Sequence, residues 1–305
     1  MNRKGICRLL TKKHREFCAS IKDEDVRKLV EKNSFITGGS IVSLLLKEPV
    51  KDYDYYLAGP KTAIAVAKYY VQQFISNNPD GIVPEVRNGR DYDDMADDRV
   101  KIYISSLGQA SEEGGSYYET MDAIDAVSEA DETEVPEDDG KKYRPVFLSA
   151  NAITLSDKVQ IVIRFHGSPE EVHENYDFDH CKCFWEPGGN GHRDYGKLTL
   201  PPTAMESIIT KQLRYSGSLY PLCSVIRTRK FLKRGWYINA GQYLKMCFQI
   251  SELDLTDLNV LEEQLTGVDA AYFWEIIQYC RQKTEEDDGF KVTAPYLATI
   301  IDKIF

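Results

Sequence analysis

The stretch Phe35-Ile36-Thr37-Gly38-Gly39-Ser40, followed by Asp52-Tyr53-Asp54, constrains this chain more than any other. Two glycines and a serine close a turn between a short β run and a mostly apolar helical run, Ile41 to Lys51. In an extended strand, residues i and i+2 share a face. Asp52 and Asp54 should therefore project together, with Tyr53 and Tyr55 packed on the other side. Two carboxylates held side by side require a cation, and hard oxygen donors suit Mg²⁺ or Mn²⁺. A glycine turn at a helix start offers backbone N–H groups to a phosphate. A phosphate cradle beside metal-binding carboxylates is the equipment of phosphoryl or nucleotidyl transfer. Either half alone is common; the spacing that joins them carries the reading.

Around this unit the chain reads as an α+β arrangement. Helical periodicity covers residues 1–33, a short strand Phe35 to Thr37, a helix from Ile41, the carboxylate strand Asp52 to Leu57, and an amphipathic helix Lys61 to Ile75. Further strands are expected at Val100 to Ile104, Arg144 to Leu148, Ala152 to Leu155 and Val159 to Phe165. From Pro201 the pattern turns helical, at about 203–214, 221–233, 239–251, 257–265, 269–283 and 293–304. The expectation is a small mixed-sheet head over residues 1–200 and a helical C-terminal region over 201–305. The segment from about 105 to 142 fits no element. It reads as a mobile acidic insertion.

Charge sharpens that division. The net charge is −10, yet Ser111 to Gly140 holds twelve acidic residues and no Lys or Arg. Without that block the remainder is slightly basic, with clusters at Arg3 to Arg15 and Arg227 to Arg234 that suit a polyanionic partner. No apolar run approaches the ~20 residues of a membrane span, and no signal-peptide core is present at the N-terminus. Seven scattered cysteines read as reduced thiols. Together these features lead one to expect a cytoplasmic protein without a membrane partner.

The run Gly38-Gly39-Ser40-Ile41-Val42-Ser43-Leu44-Leu45-Leu46-Lys47-Glu48-Pro49-Val50-Lys51-Asp52-Tyr53-Asp54 resembles the signature of the DNA polymerase β nucleotidyltransferase superfamily. Within it, the run is most similar to the tRNA CCA-adding and bacterial poly(A) polymerase branch, GG-x-VRD-LLLG-xPxKD-x-D. The branch's Arg-Asp pair is Val42-Ser43 here, so one charged grip on substrate is missing. The resemblance implies a third metal carboxylate from a later strand. In Val159 to Phe165 the matching position is Gln160, whose amide oxygen can coordinate a cation but brings no charge and cannot act as a base. Asp157 and Asp177 are the carboxylates that could substitute. Strand alternation would carry Arg164 onto the face of Gln160, where a guanidinium could bind a triphosphate.

Ser168-Pro169-Glu170-Glu171 has the form of a capping box opening a short helix. Beyond it, Glu170-Glu171 and Asp177-Phe178 match the branch's EED-xx-RRDFTINA run, with Asn175 and Tyr176 in place of its arginines. Arg227 and Lys230 lie one turn apart in a stretch loosely similar to the branch's helix after the head, which would face the nucleotide phosphates. Trp236 and Tyr237 follow closely, as base-stacking or core aromatics. Four histidines between His166 and His192 lack the spacing of a zinc knuckle beside Cys181 and Cys183.

The sequence thus points to a metal-dependent nucleotidyltransferase. Asp52, Asp54 and Gln160 would hold Mg²⁺ or Mn²⁺. Gly38, Gly39, Ser40, Arg164, Asp177, Arg227 and Lys230 would hold an NTP, with ATP as first choice. The resemblance implies a tRNA or other RNA 3′ end as acceptor. Two alternatives stay open: an inactive module of that fold that binds nucleotide or RNA, and an interaction protein acting through the acidic insertion. The wider pattern also resembles phage-encoded nucleotidyltransferase-like proteins, which would place it in a host cytoplasm.

Overall fold

The computed structural model describes residues 1–79, 83–88, 99–103, 108–110, 142–188, 194–265, 280–284 and 290–304. The chain divides into two compact units: 1–174 with 180–208, and 175–179 with 209–305. The acidic block 111–140 and most of the expected helix 269–283 lie outside the described residues.

The first unit opens with helices α1 (Arg3–Ser20) and α2 (Glu24–Lys32). Their starts are fixed by side chains: Asn2 accepts from the Gly5 amide, and Asp23 from those of Asp25 and Val26. Strand β1 (Ser34–Thr37) runs into α3 (Gly39–Leu46), and β2 (Tyr53–Leu57) into α4 (Pro60–Asn77), whose first residue is a proline. Then come β3 (Glu85–Asn88), β4 (Val100–Tyr103), β5 (Gly108–Ala110), β6 (Pro145–Ser149), β7 (Ala152–Leu155) and β8 (Val159–His166). After the short α5 (Pro169–Glu174), β9 (Phe184–Glu186) and β10 (Lys197–Thr199) complete the strands. Eight of them form one mixed sheet in the order β10-β9-β1-β2-β8-β7-β6-β5, and β3 pairs with β4 apart from it. The segment expected to fit no element therefore contains strand β5, and β3 had no counterpart in the sequence reading.

Register decides what each face of the sheet carries. Trp185, Ile36, Tyr55, Ile161, Ile153 and Leu148 are successive partners across six strands, and each is no more than 1 % exposed. Helices pack on this face: Phe17 of α1 meets Tyr55 with ring centroids 4.8 Å apart, and α4 lies against β2, β6 and β8. Burial of that much apolar surface is the chief stabilising term of the unit. The neighbouring row, on the opposite face, reads Phe184, Thr37, Asp54, Gln160, Thr154 and Phe147. Its central members are polar.

The second unit holds most of the C-terminal helices. After α6 (Pro202–Thr210), which ends at its start, come α7 (Pro221–Lys233), α8 (Ala240–Ser251), α9 (Leu258–Leu265) and α10 (Ala294–Ile304). Leu222 and Ile226 of α7 pack on Leu261 of α9, together with Leu297 of α10. Residues 175–179 join this unit by pairing with the strand-like 214–216: Ser216 N donates to Asp177 O at 2.9 Å and Asp179 N to Arg214 O at 3.0 Å.

Candidate functional site

Parallel pairing of β2 with β8 makes Asp54 and Gln160 direct register partners, with Tyr53 opposite Val159. Paired residues point to the same side of a sheet. The Asp54 carboxylate and the Gln160 amide thus stand side by side, both half-buried. Asp52 precedes the strand by one residue and is exposed. Tyr55 is fully buried on the other face, and Tyr53 lies under the Lys13 ammonium of α1, 5.2 Å from its ring centroid. Burial raises the pKa of Tyr53 and lowers that of Lys13. The expected alternation therefore holds for Tyr53, Asp54 and Tyr55, while Asp52 lies outside the strand.

On the other side of Asp54, antiparallel register sets Thr37 opposite it and runs the chain beyond Thr37 in the direction of Asp52. There the turn begins. Gly38 has φ 82° and ψ −146°, a conformation open only to glycine, and its amide donates to Cys181 O at 3.2 Å. Gly39 is different: a Cβ built on it meets nothing within 4 Å, so packing does not demand glycine there. Gly38 is the N-cap of α3 and offers no side-chain acceptor, so the first-turn amides lack a side-chain cap. Ser40 is 2 % exposed, and its Oγ is buried without a hydrogen-bond partner. Uncapped amides with an orphaned hydroxyl suit an anion with several oxygens.

The turn is braced from beneath. The Thr37 hydroxyl donates to Cys183 O at 2.9 Å and lies 2.8 Å from His173 Nε2. With its one proton given to the carbonyl, Thr37 accepts from Nε2–H, which places a proton on that ring nitrogen of His173. Burial, and then the Lys182 charge, push the His173 pKa down to about 4. The Ser168–Glu171 capping box that opens α5 is present: Glu171 Oε2 accepts from Ser168 N at 2.7 Å, and Glu171 N donates to Ser168 Oγ at 3.3 Å.

Consecutive amides of Ile163 and Arg164 both donate to Asn151 O, at 3.0 and 3.2 Å, which is the hydrogen-bond pattern of a β-bulge. The extra residue offsets the alternation that was expected to carry Arg164 onto the face of Gln160. Arg164 is 5 % exposed, with Nη1 donating to Asn151 Oδ1 at 3.3 Å. Asp177 and Arg227 belong to the second unit and form an ion pair of 2.6 Å, the aspartate side chain buried and the arginine partly exposed. Lys230 is exposed on α7. Asp157 sits in an exposed turn at φ 60° and accepts from Lys13 through its carbonyl. Trp236 is core, packed on Phe231, whereas Tyr237 is half exposed. Thr154 and Thr37, flanking the Asp54–Gln160 pair in its row, escaped the sequence reading; alternation with buried Ile153 and Leu155 is the signal that places Thr154 there.

The described residues contain no cluster of three His, Cys, Asp or Glu side chains placed to hold a metal ion. Register brings together the Asp54 carboxylate and the Gln160 amide, with Asp52 one residue before the strand; all three carry oxygen donors, the kind that suits a hard divalent cation. Among the described residues no helix is long and apolar enough to cross a membrane.

A mixed sheet, helix-packed on one face and bearing an aspartate–amide pair beside a glycine turn on the other, followed in sequence by helices, defines an α+β protein. The family model of Gabija anti-defense 2 (Gad2) proteins matches residues 8–211, and the chain belongs to that family. No curated protein matches it in sequence. Among solved structures it is similar to a tRNA-processing enzyme with CTP (16 % identity, TM-score 0.36, 90 % of this chain and 60 % of that one). It is also similar to the Thermotoga maritima CCA-adding enzyme complexed with tRNA (12 %, 0.38, 83 % and 49 %). A third is the Bacillus stearothermophilus CCA-adding enzyme in complex with CTP (14 %, 0.37, 89 % and 51 %). The chain spans roughly half to three-fifths of the length of these proteins.

Proposed function

We propose that the head is a divalent-metal-dependent nucleotidyl-transfer site, used by a protein whose family name assigns it to antagonism of the Gabija defence system. The observation that carries the reading is the register of Asp54 with Gln160, beside the Thr37–Ser40 turn. Asp52, Asp54 and Gln160 would hold Mg²⁺ or Mn²⁺, which when bound stabilises attacking and leaving oxygens together. The uncapped α3 amides and Ser40 Oγ would take the outgoing β,γ-phosphates of an NTP, ATP first among them. An acceptor hydroxyl gives up its proton to solvent as its oxygen forms a bond to the α-phosphorus and the bond to the bridging oxygen breaks, and pyrophosphate leaves. The first acceptor to test is an RNA 3′ end. Arg164 and Arg227 are left out of this assignment, because one is buried against Asn151 and the other is engaged by Asp177.

Gln160 favours a second reading, nucleotide binding without turnover. An amide contributes one neutral ligand where a carboxylate would contribute charge, and it cannot take a proton. The test incubates the protein with Mg²⁺ or Mn²⁺, each labelled NTP and bulk tRNA, beside Asp52→Ala/Asp54→Ala and Gln160→Glu. Transfer that falls by ~10³-fold or more in the double variant establishes the enzyme, a loss of the size expected when transition-state charge stabilisation is removed. Metal-dependent NTP binding without transfer, tightened by Gln160→Glu, establishes the sensor. Neither signal in any variant rejects both.

A further inference from the structure

Helix α8 wears its polarity inside out. Gln242, Met246 and Gln249, at i, i+4 and i+7, line its inner side. Met246 is fully buried, and both glutamines are engaged inward: Gln242 Oε1 accepts from Tyr215 N at 2.8 Å, while Gln249 accepts from Ser218 N at 3.2 Å and from the Tyr215 hydroxyl, and donates to Ser218 O at 3.1 Å. The outer side carries Leu244 and Phe248, also i and i+4, which are 54 % and 68 % exposed, with Tyr243 beside them at 39 %. Single exposed apolar residues are ordinary, but adjacent ones on a helix held rigidly by its other side mark a contact surface.

Charge identifies the occupant. From Ile209 to Ser251 the chain has eight Lys or Arg and no Asp or Glu. Arg229, Lys230 and Lys233 of α7 and Lys245 of α8 are exposed, and α7 packs against α8 within this unit. A second copy pairing through this same face would bring like charge against like. A polyanion would use the cations, and bases could stack on the aromatic rings, but exposed Leu244 and the exposed Leu232 have no part in stacking. An apolar centre with a charged rim is the anatomy of a protein–protein interface.

We infer that the outer face of α8, rimmed by the basic residues of α7, docks an acidic face of a protein, with an apolar side chain of the partner seated on Leu244 and Phe248. The family to which the chain belongs supplies the partner to try, a protein of the Gabija system. This rests on family membership and not on the transfer site. The experiment titrates the full-length protein with the purified Gabija proteins, with labelled single-stranded DNA and RNA, and with itself. Phe248→Asp and, separately, Lys233→Glu/Lys245→Glu are run beside the wild type. The expected result is binding to a Gabija protein that falls with salt. It weakens about tenfold or more in Phe248→Asp and about three- to tenfold in the double charge reversal, the latter mainly through slower association. Both changes lie at exposed positions, so circular dichroism and metal-dependent NTP binding or transfer should be retained, which separates this surface from the head. Binding that neither variant affects, binding to oligonucleotides alone, self-association alone, or no binding would each overturn the inference.

Discussion

The two sides of strand β2 and the two sides of helix α8 obey opposite rules. In the sheet, Tyr55 is fully buried under α1 while Asp54 and Gln160 occupy the half-buried opposite row. In α8, glutamines face inward and Leu244 and Phe248 outward. The sheet's arrangement is what folding alone requires, because apolar burial drives it and carboxylates are costly to bury. The helix's arrangement is not. Two half-buried amides must find hydrogen-bond partners to offset their desolvation, and two large apolar side chains gain nothing from water. The sheet thus shows its function in which polar groups register assembles. The helix shows it in which apolar groups folding leaves unused.

The largest expected effect tests how far the sheet's order depends on groups held neutral beneath it. His173 braces the Gly38 turn, and His14 of α1 packs on Tyr55 and Trp185 with centroids 6.0 and 5.6 Å apart. Burial lowers both pKa values to about 4. The unfolded chain, with histidines near 6.5, therefore takes up protons first as pH falls. Stability should be full above about pH 6.5 and decline through the interval down to about 4, by up to ~3 kcal/mol per histidine. Urea denaturation at stepped pH checks this. A head whose stability does not change between pH 7 and 5 would show that neither histidine is buried as described.

Next comes Tyr55→Ala. It empties a fully buried aromatic site between α1 and the sheet, and should cost about 3–5 kcal/mol. A loss below about 1 kcal/mol would mean that the helix-packed row is not the core.

Local signals gave most of the head away. A glycine with a special conformation, a capping box and period-two alternation are each written within a few residues, and Gly38, Ser168–Glu171 and the Asp54–Tyr55 alternation are all found in place. Register between distant strands was less accessible: the sequence could single out Gln160, but only the parallel pairing of β2 with β8 shows that it abuts Asp54. The Ile163–Arg164 bulge defeated alternation because nothing in the run Val159 to Phe165 breaks the pattern; the cause is Asn151, on another segment. Arg227 and Asp177 were each expected at the nucleotide, but their ion pair with one another, across fifty residues of chain, has no local signal. The inversion of α8 was invisible for the same reason, since glutamines become inward-facing only when Tyr215 and Ser218 offer them backbone.

The smallest effect is the one that most sharpens the contrast between sheet and helix. Leu244→Ser/Phe248→Ser removes two large apolar side chains, a change that in the Tyr55 row would unfold a marginal domain. On α8 it should shift stability by no more than about 0.5 kcal/mol, because side chains already in water lose little contact when truncated. Helix propensity works slightly against the variant, serine being a poorer helix former than leucine. Any larger loss, measured by thermal or urea denaturation, would mean that the two side chains are packed in solution and that α8 follows the ordinary rule. A near-zero change would leave their retention on the surface to be explained by something other than folding.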